Sequence, residues 1–571
     1  TTASNNTAVG LSALQANTTG TDNVALGVNA LDANISGNRA VAIGVNALGS
    51  QTSSVNNYNV GVGYGAGESV TTGVQNTIIG GACGSAITTG SYNSLLGVTA
   101  GDAITTASNN TAVGYAALTA NTTGTLNVAI GTQALDANTT GDSNTSVGTN
   151  ALGANTTADN NSAFGNNALL VNTTGTSNSA VGAYASDANT TGHNNTSLGT
   201  NALGANTTAN DNTAVGSSAL LANTTGTRNT AVGANAGDAM TTASYNSLFG
   251  THAGGSITTG NVNSAFGDYA LSANTTGTQN TAVGQAALTA NTTASNNTAV
   301  GYASLLANTT GADNTAMGSG ALDANTTANN NVAVGKASLG VNTTGASNVA
   351  IGAFSLDANT TASYNTAVGE ASLSANTTGA SNTAVGRYAL VANTTGANNT
   401  AVGTSALAAN TTGADCTAVG KSALAANTTG TNNVAVGDSS GASITTGSHN
   451  TCIGQDSGYG GVAITTGTGN SLLGTFSHTS AAGENYANGI GYDISAEGGY
   501  TTVGKGTDDI RAAHGNVTWA TVSDQRYKKD IVDSTAGLSF INALQPRTFK
   551  YKTLGELPET FSAYEADSTE V

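Results

Sequence analysis

Residues 455–522 hold the locally richest set of side chains that could recognise or transform a ligand. The candidate contact residues in this stretch are Tyr459, His478, Tyr486, Tyr492 and Trp519. Exposed aromatic rings suit glycan binding, so the stretch is the predicted recognition region, although the same rings would also serve as a local core. Glycoside hydrolysis needs a pair of carboxylates. No spacing pairs the carboxylates of the stretch, which are Glu484, Asp493, Glu497, Asp508 and Asp509. A glycan-degrading enzyme is therefore not expected.

The other reactive residue types are too scattered to predict a cofactor or a metal site. The five His residues lie far apart, and Asp recurs too irregularly for a calcium-binding repeat. Cys83, Cys416 and Cys452 fall at three different phases of the repetitive pattern described below. Packing roles are therefore predicted for them rather than redox or metal roles. No cofactor and no metal are predicted.

Charge and hydropathy exclude two classes of partner. The 571 residues include 31 acidic and 13 basic side chains, a net charge of −18, and no basic stripe. Binding to nucleic acid is therefore not expected. No run of about 20 apolar residues occurs, so no membrane insertion is predicted. The first residues, TTASNNTAVG, match the middle of a repeat, so the true N-terminus is expected upstream.

A repeat of 17 residues must position all of these side chains. The Gly that closes each NTAVG-like block, here position 0, recurs every 17 residues from Gly63 to Gly454, which makes 24 copies. Gly10, Gly27 and Gly44 precede them in the same series, with a two-residue insertion before Gly63. The idealised unit NTAVGxxALxANTTGxx is too short for a helix, a strand and two turns, but it fits two short strands and two turns. The sequence predicts an all-β, repetitive β-solenoid or β-roll of 17-residue coils.

One large apolar side chain per coil is kept although its position moves. Most coils carry Leu at +4 and Asn at +7, such as Leu118 with Asn121. A minority carry Gly at +4 and an apolar residue at +7, such as Gly84 with Ile87, and these coils are grouped. This exchange indicates that every coil fills the same volume of one continuous core.

The recurring NTT and NTA triplets match acceptors for N-glycosylation many times over. A triplet that is locked to a structural period is more simply explained by structure. We therefore predict Asn and Thr ladders, in which identical side chains of successive coils hydrogen-bond along the stack.

The predicted core is thin for a single rod. At the β-sheet spacing of about 4.8 Å, about 29 coils would make a rod of roughly 140 Å. One or two large apolar side chains per coil leave little net stability. An elongated, parallel homotrimeric fibre is therefore expected, with the apolar residue at −1 or the Leu at +4 facing the threefold axis.

The repeat TGxxNTAVGxxAL resembles the heads of trimeric autotransporter adhesins and the repetitive shafts of bacteriophage tail fibres. The resemblance covers roughly residues 1–491. It implies a trimeric β-roll or a related β-structure, and it says little about a ligand.

The last 49 residues, 523–571, differ in composition and predict a small α+β segment. They contain both prolines and six of the 13 Lys and Arg residues. Residues 535–545, TAGLSFINALQ, place Leu538, Ile541 and Leu544 on one face of a helix, and the following PRTFKYK predicts a strand.

The string TVSDQRYKKDI resembles the start of the self-cleaving intramolecular chaperone domain of phage tailspikes and tail fibres. In that family the domain helps three chains assemble and is then released by autoproteolysis. The resemblance implies Ser523 as nucleophile, Lys528 as base, and cleavage between Val522 and Ser523. The hydroxyl needs a base, and Lys serves only when burial lowers its pKa. In the alternative interpretation Ser523 caps a helix and Lys528 is simply exposed.

These observations predict three regions, namely a β-roll shaft at 1–454, a distal tip at 455–522 and a partial intramolecular chaperone domain at 523–571. The resemblances imply a trimeric tail fibre or related virion fibre on the virion surface. Such a fibre would bind a host-surface glycan or protein, with other tail or baseplate proteins as further partners. The alternative is an extracellular bacterial trimeric adhesin with a phage-like assembly domain. Self-cleavage is the one reaction predicted.

Overall fold

A computed structural model describes residues 2–54 and 56–515, together with the backbone of 520–521. In these residues the regular secondary structure is β-strand, and they contain no helix. The chain divides into two compact units, Thr1–Trp519 and Ala520–Val571. The α+β segment predicted at 523–571 lies outside the described residues.

Each coil contributes one three-residue strand to a long parallel sheet. These strands are β1 Thr7–Val9, β2 Val24–Leu26, β3 Val41–Ile43, β4 Val60–Val62, β5 Thr77–Ile79, β6 Ser94–Leu96, β7 Thr111–Val113, β8 Val128–Ile130, β9 Thr145–Val147, β10 Ser162–Phe164, β11 Ser179–Val181, β12 Thr196–Leu198, β13 Thr213–Val215, β14 Thr230–Val232, β15 Ser247–Phe249, β16 Ser264–Phe266, β17 Thr281–Val283, β18 Thr298–Val300, β19 Thr315–Met317, β20 Val332–Val334, β21 Val349–Ile351, β22 Thr366–Val368, β23 Thr383–Val385, β24 Thr400–Val402, β25 Thr417–Val419, β26 Val434–Val436, β27 Thr451–Ile453 and β28 Ser471–Leu473. The remaining strands are β29 His478–Thr479, β30 Asn488–Tyr492, β31 Ser495–Ala496, β32 Tyr500–Lys505, β33 Asp508–Ala513 and β34 Ala520–Thr521.

Neighbouring coils pair in parallel and in register. Strand β13 pairs with β14 so that Ala214 lies beside Ala231, one period later in the chain. Every repeat position therefore forms a column along the rod. The predicted β-solenoid of 17-residue coils is confirmed, with about 29 coils.

The second short strand expected in each coil does not form in the coils of β1–β27, whereas β29 and β31 are such strands in the two coils that follow. Residues at +2 and +4 have left-handed backbone angles, for example Ala116 with φ 55° and Leu118 with φ 56°. Two left-handed residues in one stretch prevent an extended conformation, so the chain passes through turns. The turns still bond between coils, since the Leu118 N–H donates to the Ala134 carbonyl at 3.0 Å.

Small and branched apolar residues fill the inside of each coil. Leu220 at +4 is fully buried, together with Ala at −2 and +3. In coils with Gly at +4, other side chains occupy the space of the missing Leu. A Cβ at Gly84 would lie 2.9 Å from both Ile87 Cδ1 and Leu95 Cδ1. The predicted exchange between +4 and +7 is confirmed, and the structure adds the residue at −2 as a third contributor.

The coil with Ser186 at +4 fits neither type of repeat. Its hydroxyl lies inside the core and donates to Ser197 Oγ at 2.9 Å. Ser197 occupies the −2 position of the next coil. The two buried hydroxyls satisfy each other, so this coil replaces an apolar contact by a hydrogen bond.

Two buried columns of Asn line the coil. At −4, Asn110 Oδ1 accepts the backbone N–H of Asn127 at 3.0 Å, and Asn127 Nδ2 donates to the Gly141 carbonyl at 2.8 Å. At +7, Asn138 Nδ2 donates to Asn121 Oδ1 at 2.8 Å and to the same Gly141 carbonyl at 3.0 Å. The predicted Asn ladder is confirmed. The side-chain amides of these Asn residues form hydrogen bonds that hold neighbouring coils together.

The Thr residues follow a different rule from the Asn residues. At +8, Thr122 Oγ1 donates to the backbone carbonyl of Thr139 in the next coil at 3.1 Å. The predicted bond between identical Thr side chains is therefore replaced by a bond from side chain to backbone. The second Thr of each NTT triplet lies on the surface.

The parallel sheet continues through the distal region. Strand β27 pairs with β28, β28 with β30 and β30 with β32, while β33 closes the sheet as an antiparallel hairpin with β32. Strands β29 and β31 form a separate two-stranded parallel sheet. In the part of the chain that the structure describes, no helix is long and apolar enough to cross a bilayer. The three predicted regions stay a prediction.

Candidate functional site

The outer face of the long sheet, defined here as the −3 and −1 residues of β1–β28, is an exposed surface without charge. Successive strand residues point to opposite sides, so Ala at −2 points inward and its two neighbours point outward. The −1 residues are large and apolar, and those most exposed keep 36–57% of their surface accessible. The −3 residues are Thr, Ser or Val, and no charged residue occurs at either position.

The structure separates the two columns that the sequence offered for a threefold axis. Leu288 at +4 is fully buried within its own coil, whereas Val283 at −1 is 38% exposed. At the same −1 column, the rings of Phe249 and Phe266 stack at 4.8 Å on neighbouring coils. Of these two columns, only the −1 column is available to contact another molecule.

Part of the predicted distal contact set meets around Phe476. The Phe476 and Tyr492 rings are perpendicular, with centroids 5.9 Å apart. A Cβ at Gly460 would lie 3.4 Å from the Phe476 ring, and one at Gly461 would lie 2.7 Å from the ring of His478. Residues 456–467, which we call the insertion loop, lie in the one coil after Gly63 that is three residues longer than the period. This loop forms one connected surface with Phe476, His478 and Tyr492.

The other predicted contact residues are placed differently. Tyr459 stands in the insertion loop and is 47% exposed. Tyr486 is 65% exposed, and it packs on Gly469, where a Cβ would lie 2.9 Å from its ring. Trp519 lies outside the described residues. Phe476 was absent from the predicted set, although its +2 position, where two other coils carry an exposed Tyr, is the signal that would have found it.

Two of the distal carboxylates have partners of their own. Glu497 forms an ion pair with Arg511, and Glu484 accepts a hydrogen bond from Ser480 Oγ at 2.8 Å. Burial raises the pKa of Asp509, and the positive charge of Arg511 opposes that change. Among the described residues, no group of three or more His, Cys, Asp or Glu is arranged to hold a metal ion.

All three cysteines are free and buried. Burial raises the pKa of the Cys83 thiol and of the Cys452 thiol to about 12, so both are inert at neutral pH. Cys416 replaces Asn in the −4 ladder, where its N–H donates to Asn399 Oδ1 at 3.0 Å and its Sγ lies 3.3 Å from the Gly430 carbonyl. These positions agree with packing roles.

The predicted self-cleavage residues lie beyond the described part of the first unit. Val522, Ser523 and Lys528 are outside the described residues, as are the predicted helix at 535–545 and the strand after it. Residues 523–568 match the family described as chaperone of endosialidase. This chaperone segment starts at the predicted nucleophile and includes both predicted elements.

The comparisons bear on the chaperone segment alone. No curated protein sequence matches the chain. No solved structure matches it either. The likeness of the repeats to tail-fibre shafts and adhesin heads therefore stays an expectation from the sequence.

Proposed function

We propose that the chain is part of a trimeric fibre of the phage tail fibre or tailspike type, located on the virion surface, that attaches to a host cell. The match of residues 523–568 to the endosialidase chaperone family carries this proposal. The second support is the long β-solenoid that precedes the chaperone segment. In this proposal the solenoid is the shaft, the distal region contacts the host, and the chaperone segment brings three chains together.

The outer face of the sheet is the proposed surface between chains. A continuous exposed apolar surface of more than a few hundred Å² marks an interaction site on a soluble protein. From β1 to β28 the −1 column of this face is apolar, the −3 column is Thr, Ser or Val, and neither column carries a charge. A partner must present an uncharged surface of the same length and the same 17-residue period. Another copy of this chain, running parallel, meets both conditions.

Charges placed on the outer face are expected to break the trimer. Light scattering should give the parent three times the mass of one chain and give a triple variant at −1 the mass of one chain. Three buried, like-charged carboxylates per chain have no partner near the axis. The variant is Val283→Asp, Val300→Asp and Met317→Asp. The control places Asp at +1 of the same coils, as Gln285→Asp, Tyr302→Asp and Ser319→Asp.

The control variant is expected to stay trimeric, because its substituted positions are exposed and lie outside the outer face. A stable monomer of the parent chain would refute the proposed trimer. A trimer that survives in both variants would show that another surface joins the chains.

Attachment to a host is tested by adsorption of the labelled full chain to bacterial cells. We expect saturable adsorption to the host that Tyr492→Ala weakens about tenfold, which is typical of removing an aromatic anchor from an interface. The control is Tyr115→Ala, since Tyr115 also stands at +1 and is 60% exposed, but lies in the shaft. Absence of saturable adsorption to every strain tested would refute attachment, and equal loss in both variants would refute a distal contact.

A further inference from the structure

A groove of about 600 Å³ lies in the middle of the shaft, far from the distal region. Its lining residues are Asp238, Ala239, His252, Gly255, Ser256, Tyr269, Ser272 and Ala273. The coil of Gly250, at its centre, is twelve coils before Gly454. Its volume is within the range of small-molecule sites. We call it the mid-shaft groove.

The groove arises from an Asp at +5 that is followed by Gly at +5 in the next coil. This pairing occurs five times, as Asp32 with Gly49, Asp136 with Gly153, Asp187 with Gly204, Asp238 with Gly255 and Asp323 with Gly340. In each pair the carboxylate lies beside the Gly. A Cβ at Gly255, for example, would lie 3.3 Å from Asp238 Oδ1. The absent side chain leaves a notch with a carboxylate at its edge.

The residue one coil further decides whether the notch is open. After Gly153 and Gly204 this residue is Leu, and a Cβ on either Gly would touch it, at 3.4 Å from Leu170 and 3.2 Å from Leu221. In the mid-shaft groove the corresponding residue is Ser272. A short hydroxyl side chain replaces the filling Leu, so the notch stays open.

Aromatic rings form one wall of the groove. His252 and Tyr269 stack with centroids 5.2 Å apart and planes inclined by 20°. The next residue in this +2 column is Ala286, whose methyl group is too small to cover the Tyr269 ring. Tyr269 remains 50% exposed. The groove therefore offers an aromatic face beside a carboxylate acceptor.

The polar groups of the groove complement hydroxyl groups. Burial raises the pKa of Asp238, and the nearby His252 opposes that change. Ser256 and Ser272 add two hydroxyls that both donate and accept. An anionic ligand would be repelled by Asp238 and by the net charge of −18. A ring with an apolar face and several hydroxyls fits these groups, because the face stacks on Tyr269 and the hydroxyls donate to the carboxylate.

We propose that the mid-shaft groove binds one neutral pyranose unit of a cell-surface polysaccharide. This inference rests on the proposed attachment function and adds a contact within the shaft. A second open notch provides an internal comparison. The notch at Asp32 and Gly49 measures about 340 Å³ and is lined by Asn29, Asn46 and Glu68, with no aromatic ring. It is not expected to bind a sugar.

The test uses the full chain and a panel of methyl pyranosides, with glucuronate as the anionic comparison, in saturation-transfer NMR titrations. We expect saturable binding of at least one neutral pyranoside and none of glucuronate. Ser272→Leu fills the notch with the residue that other coils carry there, and Tyr269→Ala removes the stacking face. Each is expected to weaken binding by about tenfold or more.

The matched control is Tyr184→Ala, because Tyr184 also stands at +2 and is exposed, but belongs to the coil of Asp187, where Leu221 fills the notch. It should bind the sugar as the parent does. Absence of saturable binding across the panel, or parent-like binding by Ser272→Leu, would overturn the groove assignment. Adsorption of the same proteins to cells separates the two proposals. If the parent protein adsorbs to cells but binds no pyranoside, the groove assignment alone is refuted. If it binds the sugar but adsorbs to no cell, the attachment function is refuted.

Discussion

Gly80→Ala is expected to destabilise the shaft by about 3 kcal/mol, whereas Gly81→Ala should change its stability little. Gly80 stands at position 0 with φ of 140°, a conformation that is essentially restricted to Gly. A Cβ at this residue would overlap the carbonyl oxygen of Gly97 in the next coil. The atoms that the added Cβ would meet belong to the backbone, so no flexible side chain can move aside to relieve the clash.

Gly81 is a control within the same turn. A Cβ at Gly81 would have no atom within 4 Å, and its φ is not positive. Ala at Gly81 even removes some freedom from the unfolded chain. The measurement is denaturant unfolding followed by circular dichroism, combined with limited proteolysis. In a solenoid each coil contacts only its neighbours, so new cleavage should be confined to the coils around Gly80. Equal stability of the two variants would contradict the close stacking at position 0.

Ser523→Ala is expected to abolish self-cleavage completely. The parent, expressed with its native C-terminus, should release residues 523–571, and its intact mass should end at Val522. Ser523→Ala removes the nucleophile and Lys528→Ala removes the base, so both variants should stay at full length. Lys528→Arg should also stay uncut, because a guanidinium keeps its proton. Denaturing gels and mass spectrometry provide the measurement.

Lys529→Ala is the control for cleavage, since it removes a neighbouring positive charge and leaves the predicted base. It should be cut like the parent. The triple Asp variant of the outer face adds a test of coupling. If assembly supplies the burial that makes Lys528 neutral, this variant should remain uncut. Release of the fragment from Ser523→Ala, or a trimeric parent that stays at full length, would rule out the assignment.

The repeat made much of the core predictable. The exchange of Leu118-type for Ile87-type coils is visible in the sequence because every coil must fill one volume, and the structure shows both side chains buried. The ladder of Asn121 and Asn138 was predictable for a related reason. An Asn that recurs with the coil period lies beside the equivalent Asn of the next coil, so their amides can hydrogen-bond. The distal surface was less accessible to such reasoning. Phe476 joins His478 and Tyr492 through an insertion that has no counterpart in the repeat.

The sequence by itself determined the period, the columns, the alternative ways to fill the core and the identity of the chaperone segment. Tertiary structure alone decided which columns face outward. In an extended strand the two-residue alternation would assign the faces, but left-handed residues such as Ala116 and Leu118 interrupt that alternation in every coil. The same turns bring +2 and +5 residues of three successive coils together, and so create the mid-shaft groove. A period states which residues stack on one another, whereas the turn geometry sets the direction in which each stack points.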